Sequence, residues 1–489
     1  MRALVFCWIT TARVTGMPRS SLLVAALSFL AACTPTPAPN VLLIVIDTLR
    51  ADHVGWSGER RQLTPFLDAL AQSGHTFTNA YAQSSWTAPS MASLFTSRYP
   101  SQHGVRTGRS VLVDAEVTLA EVLKHHGYTT GAFGANRVLR ADLGWQQGFD
   151  AYQILGGTPP QKPEGAGATV TLYKERGERL NAESLAWLDA LRANGQPASP
   201  VLLYLQYMEP HIPYTAPADI VDRLMHQHEN PERERQTYAD MLFGHPGLWN
   251  KPTTEALQVI NDLYAAEVIS VDARLRELFA ALEQRGFLSN AIVIITADHG
   301  DEHMEHGRIG HGTTLYNEVL KVPLLVRFPL QRGGSTVPDV VSLIDVAPTV
   351  LDAAGIPPPP SFEGQSLRRY ADDGILARLR RLVGGDRTSP RVYSQLLEPP
   401  IGWHWPKRHD EAIVVGMHKL LLGDAGTESY DLSTDPTEQH PNGLAQSDQQ
   451  ALRHALEDLR GRAQRARSER IDRLDENVQH DMRALGYGD

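Results

Sequence analysis

The stretch Asn40-Val41-Leu42-Leu43-Ile44-Val45-Ile46 runs straight into Asp47. An unbroken run of β-branched residues and leucine has no polar face, so it reads as a strand covered on both sides, as in a parallel sheet. The pattern returns at 201–205 (VLLYL), 291–296 (AIVIIT) and 322–327 (VPLLVR). Segments of helical character lie between, at 63–72, 118–126, 182–192 and 255–285. Strands alternating with helices predict an α/β fold, a central and mostly parallel sheet flanked by helices. Polar residues follow the strands at once: Asp47 after the first, Glu209 and His211 beyond the second, Asp298 and His299 after the third. Open α/β sheets bind ligands at the carboxyl ends of their strands. Three such ends bearing acids and histidines mark a candidate catalytic site.

The chain has 489 residues, 42% hydrophobic and 21% charged, enough for a sizeable core and too apolar for disorder. Its formal net charge of 46 − 56 = −10 argues against a nucleic-acid partner. Two cysteines exclude a disulfide scaffold and a cysteine-based zinc cluster. Residues 1–32 carry arginines at 2, 13 and 19 and no acid, and 22–32 is apolar and small. That run is too short to cross a bilayer but suits the core of a signal peptide. It ends Leu30-Ala31-Ala32-Cys33, which resembles a bacterial lipobox and makes Cys33 the expected lipidation site. The blander alternative is an ordinary signal peptide with a chance cysteine. Translation starts at Met1 or at Met17. Residues 33–39 read as a stiff Pro-rich tether. The expected location is the periplasm, anchored by lipid to the outer membrane, because Thr34 stands where inner-membrane retention usually has Asp.

Residues 155–181 and 215–254 are rich in Gly, Pro and charge and read as surface insertions. Pro357-Pro358-Pro359-Pro360 marks a boundary between a catalytic domain, 40–356, and a smaller α+β unit, 361–489. That unit holds strand-like pieces at 412–415 and 419–422, expected to form a small antiparallel sheet, and a charged helical tail at 449–474.

Three elements carry chemistry. Asp298-His299-Gly300-Asp301 follows a buried strand, and an adjacent carboxylate and imidazole there turn toward one cation or form a plain turn. Asp47 is costly after an apolar strand unless paired or capping a helix over 48–54. In Ser85-Trp86-Thr87-Ala88-Pro89-Ser90, Pro89 suits a first helical turn. Thr87 then lies at or just before a helix N-terminus, where amides favour an anionic oxygen. It is either a cap or, beside a cation, a nucleophile.

Together these segments resemble the sulfatase-like branch of the alkaline phosphatase superfamily. The resemblance rests on 40–52 (NVLLIVIDTLRAD), 87–97 (TAPSMASLFTS), 207–214 (YMEPHIPY), 296–312 (TADHGDEHMEHGRIGHG), 345–355 (DVAPTVLDAAG) and 429–438 (SYDLSTDPTE), in that order. It implies that Asp47, Thr87, Asp298 and His299 hold one divalent ion, Mn, Zn, Mg or Ca. Thr87 would be the metal-bound nucleophile, and His211 would contact the transferred group or protonate the leaving oxygen. His311 lies near the family's substrate-binding Lys, as its substitute or as a ligand for a second metal. Asn136 and Arg137 would bind anionic oxygens of the substrate.

The pattern departs from true sulfatases at Thr87, where they carry a Cys or Ser that is oxidised to formylglycine. Met91 replaces an Arg, and Thr48 replaces an acid. These features are similar instead to the superfamily's phospho-transferring members, which work through a phosphothreonine. The resemblance therefore implies a hydrolase or transferase of phosphodiester or phosphonate-type esters of small molecules, glycans or lipids. A sulfatase working without formylglycine is the first alternative, and a non-catalytic surface binding protein the second. Among the remaining residues, His103 reads as structural and His125-His126 as a helix end. His303 and His306 read as solvated rather than metal-binding, Trp403, His404 and Trp405 as core or a substrate-facing rim, and 453–473 as a solvated helical face.

Overall fold

The first apolar run lies in the middle of the main sheet. The computed structural model describes residues 37–156, 174–193, 199–226, 253–331, 333–371, 391–398, 407–424 and 426–462. The signal-peptide reading, Cys33, most of both expected insertions, the Trp403–Trp405 segment and the tail beyond 462 lie outside the described residues. Ten strands precede residue 343: β1 (Asn40–Ile46), β2 (His75–Tyr81), β3 (Thr129–Gly134), β4 (Ala151–Ile154), β5 (Val201–Tyr207), β6 (Ala291–Thr296), β7 (Glu302–His303), β8 (Ile309–Gly310), β9 (Lys321–Arg327) and β10 (Ser335–Ser342). Eight of them form one sheet in the order β10-β2-β9-β6-β1-β5-β3-β4. β1 pairs in parallel with both β5 and β6. Val41 to Ile46 are all fully buried, each large aliphatic side chain contributing roughly 1.5–3 kcal/mol. β9 is the exception, antiparallel to both β2 and β6. The short strands β7 and β8 pair as a hairpin.

The helices form where apolar spacing and caps coincide. Thr118 caps helix Leu119–His125 through a reciprocal pair: its Oγ1 accepts from Glu121 N at 3.2 Å, and Glu121 Oε2 accepts from Thr118 N at 2.9 Å. Thr253 caps the long helix Thr254–Gln284, its side chain accepting from Ala256 N. Helix Gly177–Ala193 starts earlier than its apolar pattern suggests, inside the stretch read as a surface insertion. Helix Ala218–Met225 likewise occupies part of 215–254.

After residue 390 come β11 (Arg391–Gln395), β12 (Glu411–Val415), β13 (His418–Gly423) and β14 (Gly426–Asp431), an antiparallel sheet in sequence order. Leu452, Leu456 and Leu459 of helix Gln446–Arg462 cover it, packing in one cluster with Tyr393, Ile413 and Leu420. The small sheet is stitched to the large one: Ser394 Oγ donates to Ala82 O at 2.6 Å and Gln395 N to Gln83 O at 2.8 Å. Among the described residues no helix is long and apolar enough to cross a membrane.

Candidate active site

Adjacent strands deliver the site residues to one edge of the sheet. Asp47 follows β1 and Asp298 follows β6, whose Thr296 pairs with Val45. His211 comes from the loop after β5 and Asn136 from the loop after β3. Asp47, Asp298 and His299 are fully buried, and each offers a ligand atom within 4.8 Å of the others. Among the described residues this is the one such group. Asp47 Oδ2 accepts from Asn136 Nδ2 at 2.7 Å and Gln206 Nε2 at 3.3 Å, while its Oδ1 has no partner. Asp298 Oδ1 accepts from the backbone amides of Thr48 (3.2 Å) and His299 (2.9 Å), while its Oδ2 has none. His299 Nδ1 meets Gly300 O at 2.8 Å and so carries the proton. That assigns the Nε2 lone pair to the side where Thr87 Oγ1 lies at 3.3 Å and Asp298 Oδ2 at 3.6 Å.

Buried carboxylate oxygens are ordinarily satisfied. Two orphaned ones beside an imidazole lone pair lack a positive charge between them. The donor set, two carboxylates with one imidazole and a hydroxyl, suits a hard or borderline divalent cation. Burial first, and the Asp298 charge second, push the Asp47 carboxyl well above its usual range.

Thr87 is the first residue of helix Thr87–Thr96, with Trp86 in the cap position, so it is not the plain cap its sequence allowed. Its hydroxyl takes a second contact from Asn136 Nδ2 at 3.2 Å. Ser90 Oγ donates to Asp298 O at 2.6 Å and fixes the first helical turn against the metal loop. Asp47 caps no helix either: Thr48 turns left-handed (φ 57°), and a short 3-10 turn follows at Ala51–His53. Gly300 is demanded by close approach, since a Cβ there would lie 2.0 Å from Glu318 O.

His211 and His311 come together, their rings 5.1 Å apart, with His311 a further 4.5 Å from His299. His211 Nδ1 bonds Ile212 O, and His311 Nδ1 meets Asp301 Oδ1 at 2.9 Å. Burial, reinforced by each ring's histidine neighbour, holds both imidazoles well below their ordinary pKa. Arg137 Nη1 lies 2.6 Å from where a Cβ on Gly156 would be. Its neighbour Asn136 is the residue that bridges Asp47 and Thr87.

Glu209 faces inward behind His211: its Oε1 accepts from Gly177 N at 2.9 Å, and burial raises its pKa. Lys174 shares that space, with Nζ 2.8 Å from His211 O and 3.0 Å from Glu267 Oε2. The charge-rich segment around Lys174 hid it, because nothing in its composition marks a buried lysine. Gln206 was missed as well, although a lone amide at the end of an apolar strand was a readable signal.

His303 and His306 are not solvated. His303 is 5% exposed, with Nδ1 2.8 Å from Asn261 Oδ1, and His306 stacks on Tyr316 at 3.6 Å. The side chains of Tyr264 and Tyr316 shield them from water, a tertiary effect with no local signature. His103 is structural, bonded to Ser93 Oγ and Val105 N.

This sheet, with the metal-ready group at its strand ends, is of the alkaline-phosphatase-like α/β class. Residues 39–356 match the family described as Sulfatase, and the chain belongs to that family. It is 27% identical to Arylsulfatase K of Canis lupus familiaris over 365 residues, covering 68% of this chain and 66% of that protein. The fold resembles BT4656, solved in complex with its substrate D-glucosamine-2-N,6-O-disulfate (TM-score 0.68, 22% identity, 87% of this chain and 98% of that one). It also resembles the phosphonate monoester hydrolase of Agrobacterium radiobacter (TM-score 0.63, 22% identity, 88% and 96%). Sulfatase-family enzymes bind a divalent metal, and Asp47, Asp298 and His299 are the candidate ligands here.

Proposed function

We propose that this hydrolase acts on phosphodiester or phosphonate-type esters, by hydrolysis or transfer, with Thr87 as nucleophile. The observation that carries the reading is the Thr87 hydroxyl at a helix N-terminus, 3.3 Å from His299 Nε2 and 3.2 Å from Asn136 Nδ2. A threonine cannot become formylglycine, whereas a phosphothreonine is readily resolved at phosphorus. Asp47, Asp298, His299 and Thr87 would hold the divalent cation, which supplies positive charge that lowers the Thr87 pKa and offsets the substrate's non-bridging oxygens. Asn136 holds Thr87 Oγ1 in line. As Thr87 attacks phosphorus its hydroxyl proton passes to the Nε2 lone pair of His211 or His311, and as the bond to the leaving oxygen breaks that oxygen takes the proton from the same imidazole. Water or an acceptor alcohol then attacks the phosphothreonine and gives its proton to the same imidazole, which passes it to the departing Thr87 Oγ1 and so restores both groups.

The substrate class is a small-molecule, glycan or lipid ester. Sulfate-ester hydrolysis without formylglycine is the second reading, and the names of the arylsulfatase relative and of the disulfate complex favour it. The deciding assay offers nitrophenyl sulfate, phosphate monoester and phosphodiester to the protein and to Thr87→Ala, with Mn, Zn, Mg and Ca in turn. Diester cleavage that disappears in Thr87→Ala supports the proposal; sulfate cleavage with little diester turnover refutes it. We propose further that Cys33 is lipidated and holds the enzyme at the periplasmic face of the outer membrane, on the strength of Leu30-Ala31-Ala32-Cys33 alone. Mass spectrometry of the mature N-terminal peptide finds an acylated Cys33 if that is right and an unmodified one if it is wrong.

A further inference from the structure

We propose that Asp301 is a positioning residue that fixes the tautomer and orientation of His311, making His311 Nε2 the nitrogen that meets the substrate's leaving oxygen. The inference rests on the phosphoryl-transfer reading above and assigns the proton-carrying role within it. The backbone builds the arrangement. In the β7–β8 hairpin Glu302 pairs with Gly310 and His303 with Ile309. The next position of that ladder sets Asp301 across from His311. The turn that closes the hairpin is held by Met304 N to Arg308 O at 2.6 Å and Gly307 N to Met304 O at 3.0 Å. It includes Met304 in a left-handed conformation (φ 75°). A one-residue slip in the ladder would separate the pair.

The side chains complete what the ladder begins. Asp301 and His311 are each 1% exposed, with Oδ1 and Nδ1 2.9 Å apart. A carboxylate accepts only, so the Nδ1 of a neutral His311 carries the proton and its Nε2 keeps the lone pair. Asp301 is itself anchored: its carbonyl accepts from Arg50 Nη1 at 3.0 Å, and its Oδ2 lies 3.9 Å from His303 Nε2. His303 is oriented in turn by Asn261 Oδ1, 2.8 Å from its Nδ1, and by Tyr214 Oη, 3.4 Å from its Nε2. His211 Nδ1 instead bonds the peptide carbonyl of the next residue, Ile212. A peptide carbonyl fixes a tautomer, but only a carboxylate also offsets the charge of a ring that gains a proton.

The test uses the full chain loaded with its activating cation and labelled with 15N-histidine. Long-range 1H–15N correlation reads the tautomer of His311, its signals identified by their loss in His311→Gln. The expected result is a proton on Nδ1 in the wild-type protein; a proton on Nε2 overturns the inference even if every Asp301 variant fails to fold. In kinetics Asp301→Asn should lower kcat about 10- to 100-fold with KM within about twofold, more for a phenyl than for a nitrophenyl diester, and Asp301→Glu should recover part of the loss. Equal losses for both leaving groups, or an unchanged kcat, also overturn it. Diester turnover that survives in Thr87→Ala instead sinks the phosphoryl-transfer reading itself, so the two failures are distinguishable.

Discussion

Asp47→Asn should make the metal-free protein more stable while abolishing its response to metal. In the absence of a cation, Asp47 and Asp298 are two buried acids whose oxygens lie within 4.8 Å. At an effective dielectric of about 20, unit charges at that separation repel by about 3.5 kcal/mol. The substitution removes one charge and keeps an oxygen to accept from Asn136 and Gln206. Proton uptake by Asp47 already relieves part of the repulsion, so the expected gain is about 2–3 kcal/mol near pH 8. The pH dependence follows from the raised Asp47 pKa. Its contribution is fully present below the unfolded value of about 4 and is lost as pH rises through the higher folded value. Metal-free wild type should therefore lose stability across that interval, and Asp47→Asn should lack that component. A cation at 100 times its Kd should add about 2.7 kcal/mol to the wild type and little to the variant. Thermal melts in chelator and in saturating cation, from about pH 4 to 9, measure all of this. A metal-free Asp47→Asn less stable than wild type, or an equal cation shift in both proteins, would refute the reasoning.

Asn136→Ala removes the donor shared by Asp47 and Thr87; kcat and cation affinity should each fall about 10- to 100-fold, and a change in neither would show the bridge to be idle. Gly300→Ala drives a Cβ to within 2.0 Å of Glu318 O, a backbone atom that cannot swing aside. A loss of at least about 1–3 kcal/mol by denaturant unfolding is expected, together with weaker cation binding; wild-type values in both would contradict the geometry. Lys174→Met leaves Glu267 buried without its partner and should cost about 3–5 kcal/mol. A melting curve shifted by less than about 1 kcal/mol would mean that water replaces the ammonium.

The parts of the fold legible in the sequence are those whose cause is local. β1, β5 and β6 are continuous apolar runs, and the acids and histidines at their ends sit where the parallel pairing carries them. The antiparallel direction of β9 was not legible, because an apolar run says nothing of its orientation between two neighbours. β2 (HTFTNAY) and β3 (TTGAFG) went unread for a different reason. β2 looks half polar yet is almost wholly buried, and β3 spends a glycine on a neighbour: a Cβ at Gly131 would lie 2.5 Å from the Trp187 ring. At the site, Asp47, Thr87, Asp298 and His299 were found through a strand end and a helix start. Lys174 and the Asp301–His311 pair depend on a salt bridge across 93 residues, 267 − 174, and on a hairpin register. Neither leaves a trace in composition.

The place of β9 bears on how the chain becomes an enzyme at all. β2 ends at residue 81, and its sheet neighbours, β9 and β10, begin only at 321 and 335. A growing chain must therefore add 321 − 81 = 240 residues before β2 meets its first partner strand. The loop-closure entropy of that pairing has to be met before its contacts reward it, which makes completion of the sheet slow and late. Until then β2 presents two unpaired edges to any other chain. Thr87 follows β2 by six residues, and the loop between is held by Ser394 and Gln395. The loop that leads to Thr87 also takes earlier anchors, Ala82 N on Leu320 O and Gln83 Oε1 on Ile344 N, but its last two arrive only after nearly four hundred residues have emerged, so a chain cut short upstream of β11 would keep Asp47, Asp298 and His299 while the Thr87 loop lost those two.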